Sequence, residues 1–306
     1  MSRAFSFSLL AAVSLIAIPS LGFAAPAPPQ VTVERNVVYG MVSGAALLLD
    51  IHRPARPNGF GVIFIAGSGF QADAGYGARP IKETQIDLWG PPLTGAGYTV
   101  FALNHRGAPR FHYPAAIDDV QRAIRFVRSN AAAYRIDGAR LGGLGGSSGG
   151  NLIALAAVRA APGLPGDQDV VNREPATLQA IVLRAAVTDL RNLPTAAGAN
   201  FVVSYMEAPP GDSAKALYDA ASPVTQVGRD APPALLIHGD ADDLVPFSQS
   251  VAMEAALRAV GTPTRLISVP GGRHGADFGA GGPLPREWPN YYGETVRWFD
   301  QHLRRH

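Results

Sequence analysis

The segment RLGGLGGSSGGNLIALAAV (residues 140–158) decides the fold, because it joins two apolar runs through glycines and two adjacent serines. A phosphate-binding P-loop needs a lysine just before its helix, and the chain has lysines only at positions 82 and 215. A dinucleotide fingerprint starting at Gly143 requires Gly or Ala at its sixth position, where this sequence has Ser148. A flexible linker is not flanked by runs as apolar as these. The segment therefore predicts a strand, a tight turn and a helix.

The turn itself, GGSSG (residues 145–149), matches the pattern G-x-S-x-G. In this pattern the serine occupies a strained strand-to-helix turn that exposes its hydroxyl, and the glycines let the strand and the helix approach each other. The pattern also fits one residue later, with Ser148 as the nucleophile. We prefer Ser147, because Gly149 and Gly150 then lie at the tight start of the helix. The N-terminus of that helix favours negative charge at the reaction centre.

Two downstream segments supply partners for a nucleophilic serine. The run ALLIHGDADDLVP (residues 234–246) predicts a strand followed by a turn with three aspartates. The run VPGGRHGADF (residues 269–278) places His274 in a glycine-rich loop before the last helix. A carboxylate just after a strand can hold the Nδ1 of such a histidine. We give the other histidines, including His238 in the aspartate turn, no catalytic role.

The order Ser, Asp, His and three further motifs resemble the α/β-hydrolase esterases, especially the feruloyl/acetyl-esterase-like and hormone-sensitive-lipase-like branches. GGSSGGNL resembles their nucleophile turn, and YPAAIDDVQRAIRFVRSNAAAYRIDGARLG their helix before that turn. SPVTQV and PPALLIHGDADDLVP resemble their S-P segment and H-G-x-x-D-x-x-V-P acid turn. The last motif selects Asp242 over its two neighbours, so the resemblance implies a triad of Ser147, Asp242 and His274. It extends from about residue 60 to the C-terminus.

The same resemblance implies an oxyanion hole. The H-G-G-G loop of these esterases aligns with AGSGF (residues 66–70), in which Ala66 replaces the histidine and Ser68 a glycine. The backbone N–H groups of Ser68, Gly69 and Ser148 are then the expected donors to the oxyanion. We hypothesise that the Ser68 hydroxyl is an additional donor and partly replaces the order that the missing histidine gave.

Apolar runs predict the rest of an α/β fold. Several strand candidates are continuous apolar runs, which is typical of parallel strands buried on both faces. Helical patterns lie between them, so we expect the α/β-hydrolase fold: a mostly parallel, eight-stranded sheet with helices on both faces. The strand candidates are VTVERNVVY, AALLLDI, GVIFIAG, YTVFALN, RLGGLG, AIVLRAA, ALLIHG and TRLISVP. We expect Ser248 to be the N-cap, and Gly261 the C-cap, of the helix between the last two strands.

The N-terminus has the layout of a secretory signal peptide, with Arg3, an apolar run and small residues at Ala24 and Ala25. We expect cleavage to remove residues 1–25 and to leave one hydrolase domain, residues 26–306, in the periplasm or secreted, without a membrane anchor. The chain has no cysteine, so packing alone must stabilise it. The stretch 192–231 fits neither helix nor strand pattern well and is interpreted as a cap-like insertion.

These observations predict a serine hydrolase that forms an acyl-enzyme on Ser147 and acts on small-molecule or carbohydrate esters with short acyl chains. Without cysteine or paired histidine ligands we expect neither a metal nor a cofactor. The lack of a long basic run argues against nucleic acid. No prediction of oligomeric state follows. The candidate substrate-binding residues are aromatic and lie at the end of the oxyanion segment, in residues 71–92 after it and in residues 200–210: Phe70, Tyr76, Trp89, Phe201 and Tyr205.

Two alternatives remain open. A peptidase of the prolyl-oligopeptidase type shares the nucleophile turn and the acid turn. Such enzymes usually carry a propeller domain, for which 306 residues leave no room. A catalytically inactive hydrolase fold used for binding is the alternative from another class, although such proteins commonly lose a member of the triad.

Overall fold

A central sheet of eight strands organises the part of the chain that the computed structural model describes, residues 30–73, 75–159, 161–193 and 196–304. The predicted signal peptide, residues 1–25, lies outside these ranges. The strand order is β1-β2-β4-β3-β5-β6-β7-β8. β1 pairs with β2 and β2 with β4 in antiparallel fashion, and every other pair is parallel. The strands are β1 (Thr32–Val42), β2 (Ala45–Arg53), β3 (Gly61–Ile65), β4 (Thr99–Leu103), β5 (Leu141–Gly146), β6 (Ala180–Arg184), β7 (Ala234–Gly239) and β8 (Thr264–Val269).

The five central strands are buried along their whole length, which explains why their sequences are continuous apolar runs. All eight predicted strands are confirmed. Successive side chains of β3 point to opposite sides, so Ile63 and Ile65 join one core, whereas Val62 and Phe64 join the other. The sheet therefore separates two cores, one on each face.

Nine α-helices cover the two faces of the sheet in the described ranges. α2 and α4 pack in the core that contains Ile63, whereas α1 and α9 pack in the core that contains Val62, so the predicted helices on both faces are confirmed. The helices are α1 (Ile86–Gly95), α2 (Ala115–Ser129), α3 (Ala131–Tyr134), α4 (Ser147–Val158), α5 (Ala196–Met206), α6 (Lys215–Ala221), α7 (Pro223–Gln226), α8 (Ser248–Ala259) and α9 (Tyr291–Leu303). No helix in the described ranges is long and apolar enough to span a bilayer.

The helices differ from the sequence expectations at three points. α1 was not predicted, because Pro91 and Pro92 lie within it and proline disfavours helix interiors. Burial of Trp89 and Leu93 from the same helix outweighs that preference. Ser248 is the first residue of α8 rather than its N-cap; Phe247 is the N-cap and makes no side-chain capping bond. Val260, not Gly261, is the C-cap, and Gly261 follows it with φ 81°.

Candidate active site

The turn between β5 and α4 holds Ser147 in a backbone conformation that side chains rarely adopt, with φ 52°. Such a turn is the expected geometry of a nucleophilic serine, because it aims the hydroxyl away from the sheet. A Cβ added to Gly145 would overlap the carbonyl of Gly149. Strand and helix therefore approach as closely here as the G-x-S-x-G pattern predicts.

Loops after β7 and β8 bring the other two predicted triad residues to this turn. His274 Nε2 lies 3.1 Å from Ser147 Oγ. On the other side of the ring, His274 Nδ1 lies 2.7 Å from Asp242 Oδ2. The three side chains, far apart in sequence, thus form one continuous hydrogen-bonded chain. In this arrangement the imidazole can accept the serine proton while the carboxylate orients it.

The Asp242 carboxylate is completely buried and is surrounded by donors. Its Oδ1 accepts the backbone N–H groups of Leu244, at 3.0 Å, and Val245, at 2.8 Å. Burial alone would raise the pKa of Asp242, but the hydrogen bonds from His238 and His274 outweigh it and hold this pKa well below its usual range. The carboxylate is therefore ionised at neutral pH and acts as an acceptor.

Sequence reasoning missed the contribution of His238. Its Nε2 lies 3.3 Å from Asp242 Oδ2 and 2.9 Å from the carbonyl of Val245, and its Nδ1 lies 2.7 Å from Ser250 Oγ. The imidazole is fully buried and holds the acid turn in place. The motif H-G-x-x-D, which selected Asp242, contained this histidine as its first residue and was the available signal.

The predicted oxyanion loop lies directly beside the nucleophile. The backbone N–H of Ser68 donates to Ser148 Oγ at 3.0 Å, so the loop is bonded to the residue after Ser147. This N–H, one of the three expected oxyanion donors, is therefore already engaged within the protein. No hydrogen bond among the described residues uses the N–H of Gly69. The N–H of Ser148 is in the first turn of α4, where helices lack internal acceptors. Within the described ranges, the buried Ser68 hydroxyl has no partner either.

A cavity of about 320 Å³ opens onto Ser147 and His274. Its lining is mainly apolar but includes the polar side chains of Gln85 and Arg184. Helix α5, from the stretch interpreted as a cap, supplies part of the apolar wall. The predicted substrate-binding residues Phe70 and Phe201 line this cavity. The other apolar wall residues are Val187, Leu193, Val202, Leu244 and Val245.

Three other predicted substrate-binding residues lie elsewhere. Tyr205 is buried behind Phe70, with the two rings stacked 4.2 Å apart, because this packing fills the core beneath α5. Trp89 is buried on α1, and its Nε1 donates to the carbonyl of Ala276 at 2.9 Å, so it supports the loop that carries His274. Tyr76 is fully exposed in the loop after the oxyanion segment.

Arg184, at the end of β6, is a second residue that sequence reasoning missed. It was counted only as part of an apolar strand, yet its guanidinium lines the cavity. Burial lowers the pKa of Arg184 to about 10, which still leaves it charged at neutral pH. Among the described residues, no three His, Cys, Asp or Glu side chains are grouped to hold a metal ion.

Comparison with known proteins places this geometry in a family. The BD-FAE family model matches residues 49–257, more than half of the chain and most of the sheet. The chain belongs to the BD-FAE family. Among curated relatives of this BD-FAE chain, esterase LipQ of Mycobacterium tuberculosis is 35% identical over 66% of the chain and 47% of LipQ. Esterase LipC of the same organism is 30% identical over 80% of the chain and 60% of LipC. The BD-FAE chain thus spans about half the length of these relatives.

A solved structure gives the same result for the fold. A truncated form of a carbohydrate esterase from gut microbiota superposes with a TM-score of 0.74 at 29% identity, covering 91% of the BD-FAE chain and 99% of that chain. The predicted resemblance to α/β-hydrolase esterases and the predicted α/β-hydrolase fold are therefore confirmed.

Proposed function

We propose that this BD-FAE protein hydrolyses carboxylic esters through an acyl-enzyme on Ser147. One observation carries the proposal: the hydrogen-bonded chain from Ser147 through His274 to Asp242 ends at a cavity that the oxyanion loop also faces. The esterase names of its relatives agree with it.

The reaction follows from the positions of these groups. Ser147 Oγ attacks the ester carbonyl and gives its proton to His274 Nε2, while Asp242 stabilises the imidazolium through Nδ1. The N–H groups of Gly69 and Ser148 receive the negative charge of the tetrahedral intermediate. The imidazolium then protonates the departing alcohol. A water molecule, deprotonated by His274, attacks the acyl carbonyl; the bond to Ser147 Oγ then breaks, His274 returns the proton to Oγ, and the acid leaves.

The cavity supports a short acyl group. Its volume is at the lower end for small-molecule sites, and apolar residues of α5 form part of its lining. A carbohydrate-linked alcohol is our proposal for the leaving group, supported by the similarity to the structure of a carbohydrate esterase. An extracellular substrate also fits the predicted removal of residues 1–25 and a periplasmic or secreted location.

A substrate panel tests the activity. We expect the purified protein to hydrolyse p-nitrophenyl acetate and butyrate and acetylated or feruloylated sugars, to react with a fluorophosphonate at Ser147, and to leave aminoacyl anilides intact. Ser147→Ala is the control for each measurement. Cleavage of the anilides would favour a peptidase, and an unlabelled Ser147 without any ester hydrolysis would favour an inactive binding protein.

The location has its own test. Expression of the full chain in a Gram-negative host, followed by fractionation and mass measurement, should give a periplasmic or secreted protein cleaved near Ala24 or Ala25. A full-length protein in the cytoplasm contradicts the proposed export.

A further inference from the structure

The side-chain amide of Gln85 pairs with the oxyanion loop at two points. Gln85 Oε1 accepts the backbone N–H of Gly67 at 3.3 Å, and Gln85 Nε2 donates to the carbonyl of the same residue at 3.2 Å. Gly67 directly precedes Ser68, and Ala66 before it has no polar side chain to fix the loop. Gln85 therefore binds this stretch of loop as a neighbouring strand would bind a peptide unit.

Gln85 is itself held in an unusual conformation at the start of α1. Its backbone lies in the left-handed region, with φ 60° and ψ −9°, which is uncommon for a residue other than glycine. Strained residues persist where the surrounding structure fixes them, and they concentrate at functional sites. Here Gln85 Oε1 also accepts a second hydrogen bond, from Arg184 Nη2 at 2.9 Å.

Arg184 connects this amide to the loop of the catalytic histidine. Its Nη1 donates to the carbonyl of Gly275, the residue after His274. Both of these acceptors are neutral, and Arg184 is only 2% exposed. Within the described ranges no carboxylate forms an ion pair with it. A buried positive charge thus lies beside the cavity.

The nucleophile turn leaves space for this guanidinium. A Cβ added to Gly146 would overlap Arg184 Nη2, Cζ and Nε. Gly146 is the residue directly before Ser147, so the positive charge lies against the backbone of the nucleophile turn. The oxyanion loop, the nucleophile turn and the histidine loop therefore meet at Arg184 and Gln85.

We propose that Gln85 and Arg184 are positioning residues: Gln85 fixes the oxyanion loop, and Arg184 fixes both Gln85 and the His274 loop while its charge favours the tetrahedral oxyanion. A positive charge in a site with little water interacts strongly with negative charge that develops nearby. The proposal rests on the ester hydrolysis proposed above. The simpler alternative is that both residues only contribute to stability.

Four variants separate these roles. Gln85→Leu removes both hydrogen bonds to Gly67 with a side chain of similar size. Gln85→Glu keeps an acceptor for the Gly67 N–H, but its carboxylate repels the Gly67 carbonyl and neutralises the charge of Arg184. Arg184→Met removes the charge, whereas Arg184→Lys retains it without the planar fork that binds two acceptors. We expect kcat for p-nitrophenyl acetate to fall by about 10- to 100-fold in Gln85→Leu, Gln85→Glu and Arg184→Met, with KM changed less than about threefold.

The kcat of Arg184→Lys should be at least about fivefold higher than that of Arg184→Met, because lysine restores the positive charge. A trifluoromethyl ketone, whose adduct with Ser147 carries the oxyanion, gives an independent measurement. Its inhibition constant should rise in proportion to the loss of kcat/KM across the variants.

Matched controls lie outside the cavity. Arg128 is a buried arginine that donates to the carbonyls of Gly138, Pro175 and Thr177, and Gln226 donates to the carbonyl of Asp219. Arg128→Met and Gln226→Leu should lower the thermal midpoint at most and leave kcat unchanged. Their role is to separate a loss of stability from a loss of positioning.

The outcomes distinguish this inference from the proposed function. An inactive wild-type protein contradicts ester hydrolysis itself. An active wild type whose Gln85→Leu and Arg184→Met variants keep kcat and inhibitor affinity overturns the positioning role. Where Arg184→Met does not fold, Arg184→Lys and the two variants of Gln85 decide the question by the same criteria.

Discussion

Gly69 and Phe201 lie next to each other, so the oxyanion loop packs against helix α5 at the cavity. A Cβ added to Gly69 would be 2.9 Å from Phe201 Cδ1, closer than such atoms approach each other. Gly69 also has φ +63°, a backbone conformation in which residues other than glycine are strained. The position of one proposed oxyanion donor therefore depends on a side chain of α5.

Gly69→Ala should displace the loop through both strain and this contact. We expect kcat/KM for p-nitrophenyl acetate to fall by at least about 100-fold, the usual effect of losing one oxyanion donor. Gly44 provides the control, since it has φ +78° but nothing lies near its Cβ position. Gly44→Ala should lose stability without losing activity, and equal activity losses in the two variants would contradict the prediction.

Phe201→Ala should widen the cavity beside the oxyanion loop. Because an acyl chain gains about 1–3 kcal/mol for each methylene that a pocket accommodates, the ratio of kcat/KM for hexanoate to that for acetate should rise at least tenfold. A series of p-nitrophenyl esters measures this ratio. Leu217→Ala, at an exposed position on α6, should leave this ratio unchanged. An equal rise of the ratio in Leu217→Ala would show that the effect does not come from the cavity.

Ser68→Ala tests the unpartnered hydroxyl in the oxyanion loop. If that hydroxyl donates to the oxyanion, kcat should fall by about tenfold with KM nearly unchanged. Removing a buried polar group without a partner should not reduce the free energy of unfolding. Kinetics and urea unfolding together measure both effects, and an unchanged kcat would remove the hydroxyl from the mechanism.

Asp242→Asn should reduce kcat by about 10⁴-fold, because the amide no longer holds His274 in the required tautomer. The pH dependence of stability gives a second measurement. Since the folded-state pKa of Asp242 is depressed, its ionised form stabilises the protein above the unfolded-state pKa of about 3.9. This contribution disappears as the pH falls toward the folded-state value.

Wild type should consequently lose more unfolding free energy than Asp242→Asn between pH 5 and pH 2. The maximum difference in slope is about 1.4 kcal/mol per pH unit for one proton. Urea unfolding across this range measures it. Parallel curves for the two proteins are the result that contradicts a depressed pKa.

Lys82→Met should destabilise the fold without touching the site. Lys82 Nζ lies 2.8 Å from Asp50 Oδ1, and both side chains are 1% exposed. Removing one partner of a buried ion pair typically lowers the free energy of unfolding by about 3–5 kcal/mol. Because Asp50 keeps its bonds to Arg35 and Asn36, we expect a loss near the lower limit. The double variant Lys82→Met/Asp50→Leu should recover part of it, which urea unfolding can measure.

Sequence patterns were sufficient to predict those elements whose evidence lies within one short stretch of the chain. The central strands were predictable because burial on both faces makes each a continuous apolar run, as in β3 and β7. α1 was not predictable from propensity, since its two prolines argue against a helix that burial of Trp89 stabilises. The aromatic wall residues were equally undetermined: Phe201 faces the cavity, whereas Tyr205, four residues later, faces the core.

The sequence by itself determined the set of strands, the serine turn and the choice of an acid and a histidine, because each depends on neighbouring residues in a recognisable pattern. Only the tertiary structure decided that Arg184 meets Gln85, 99 positions away, and the carbonyl of Gly275, 91 positions away. The physical reason is that a buried guanidinium takes whichever carbonyl or amide oxygens folding brings to it, and no local pattern specifies those partners.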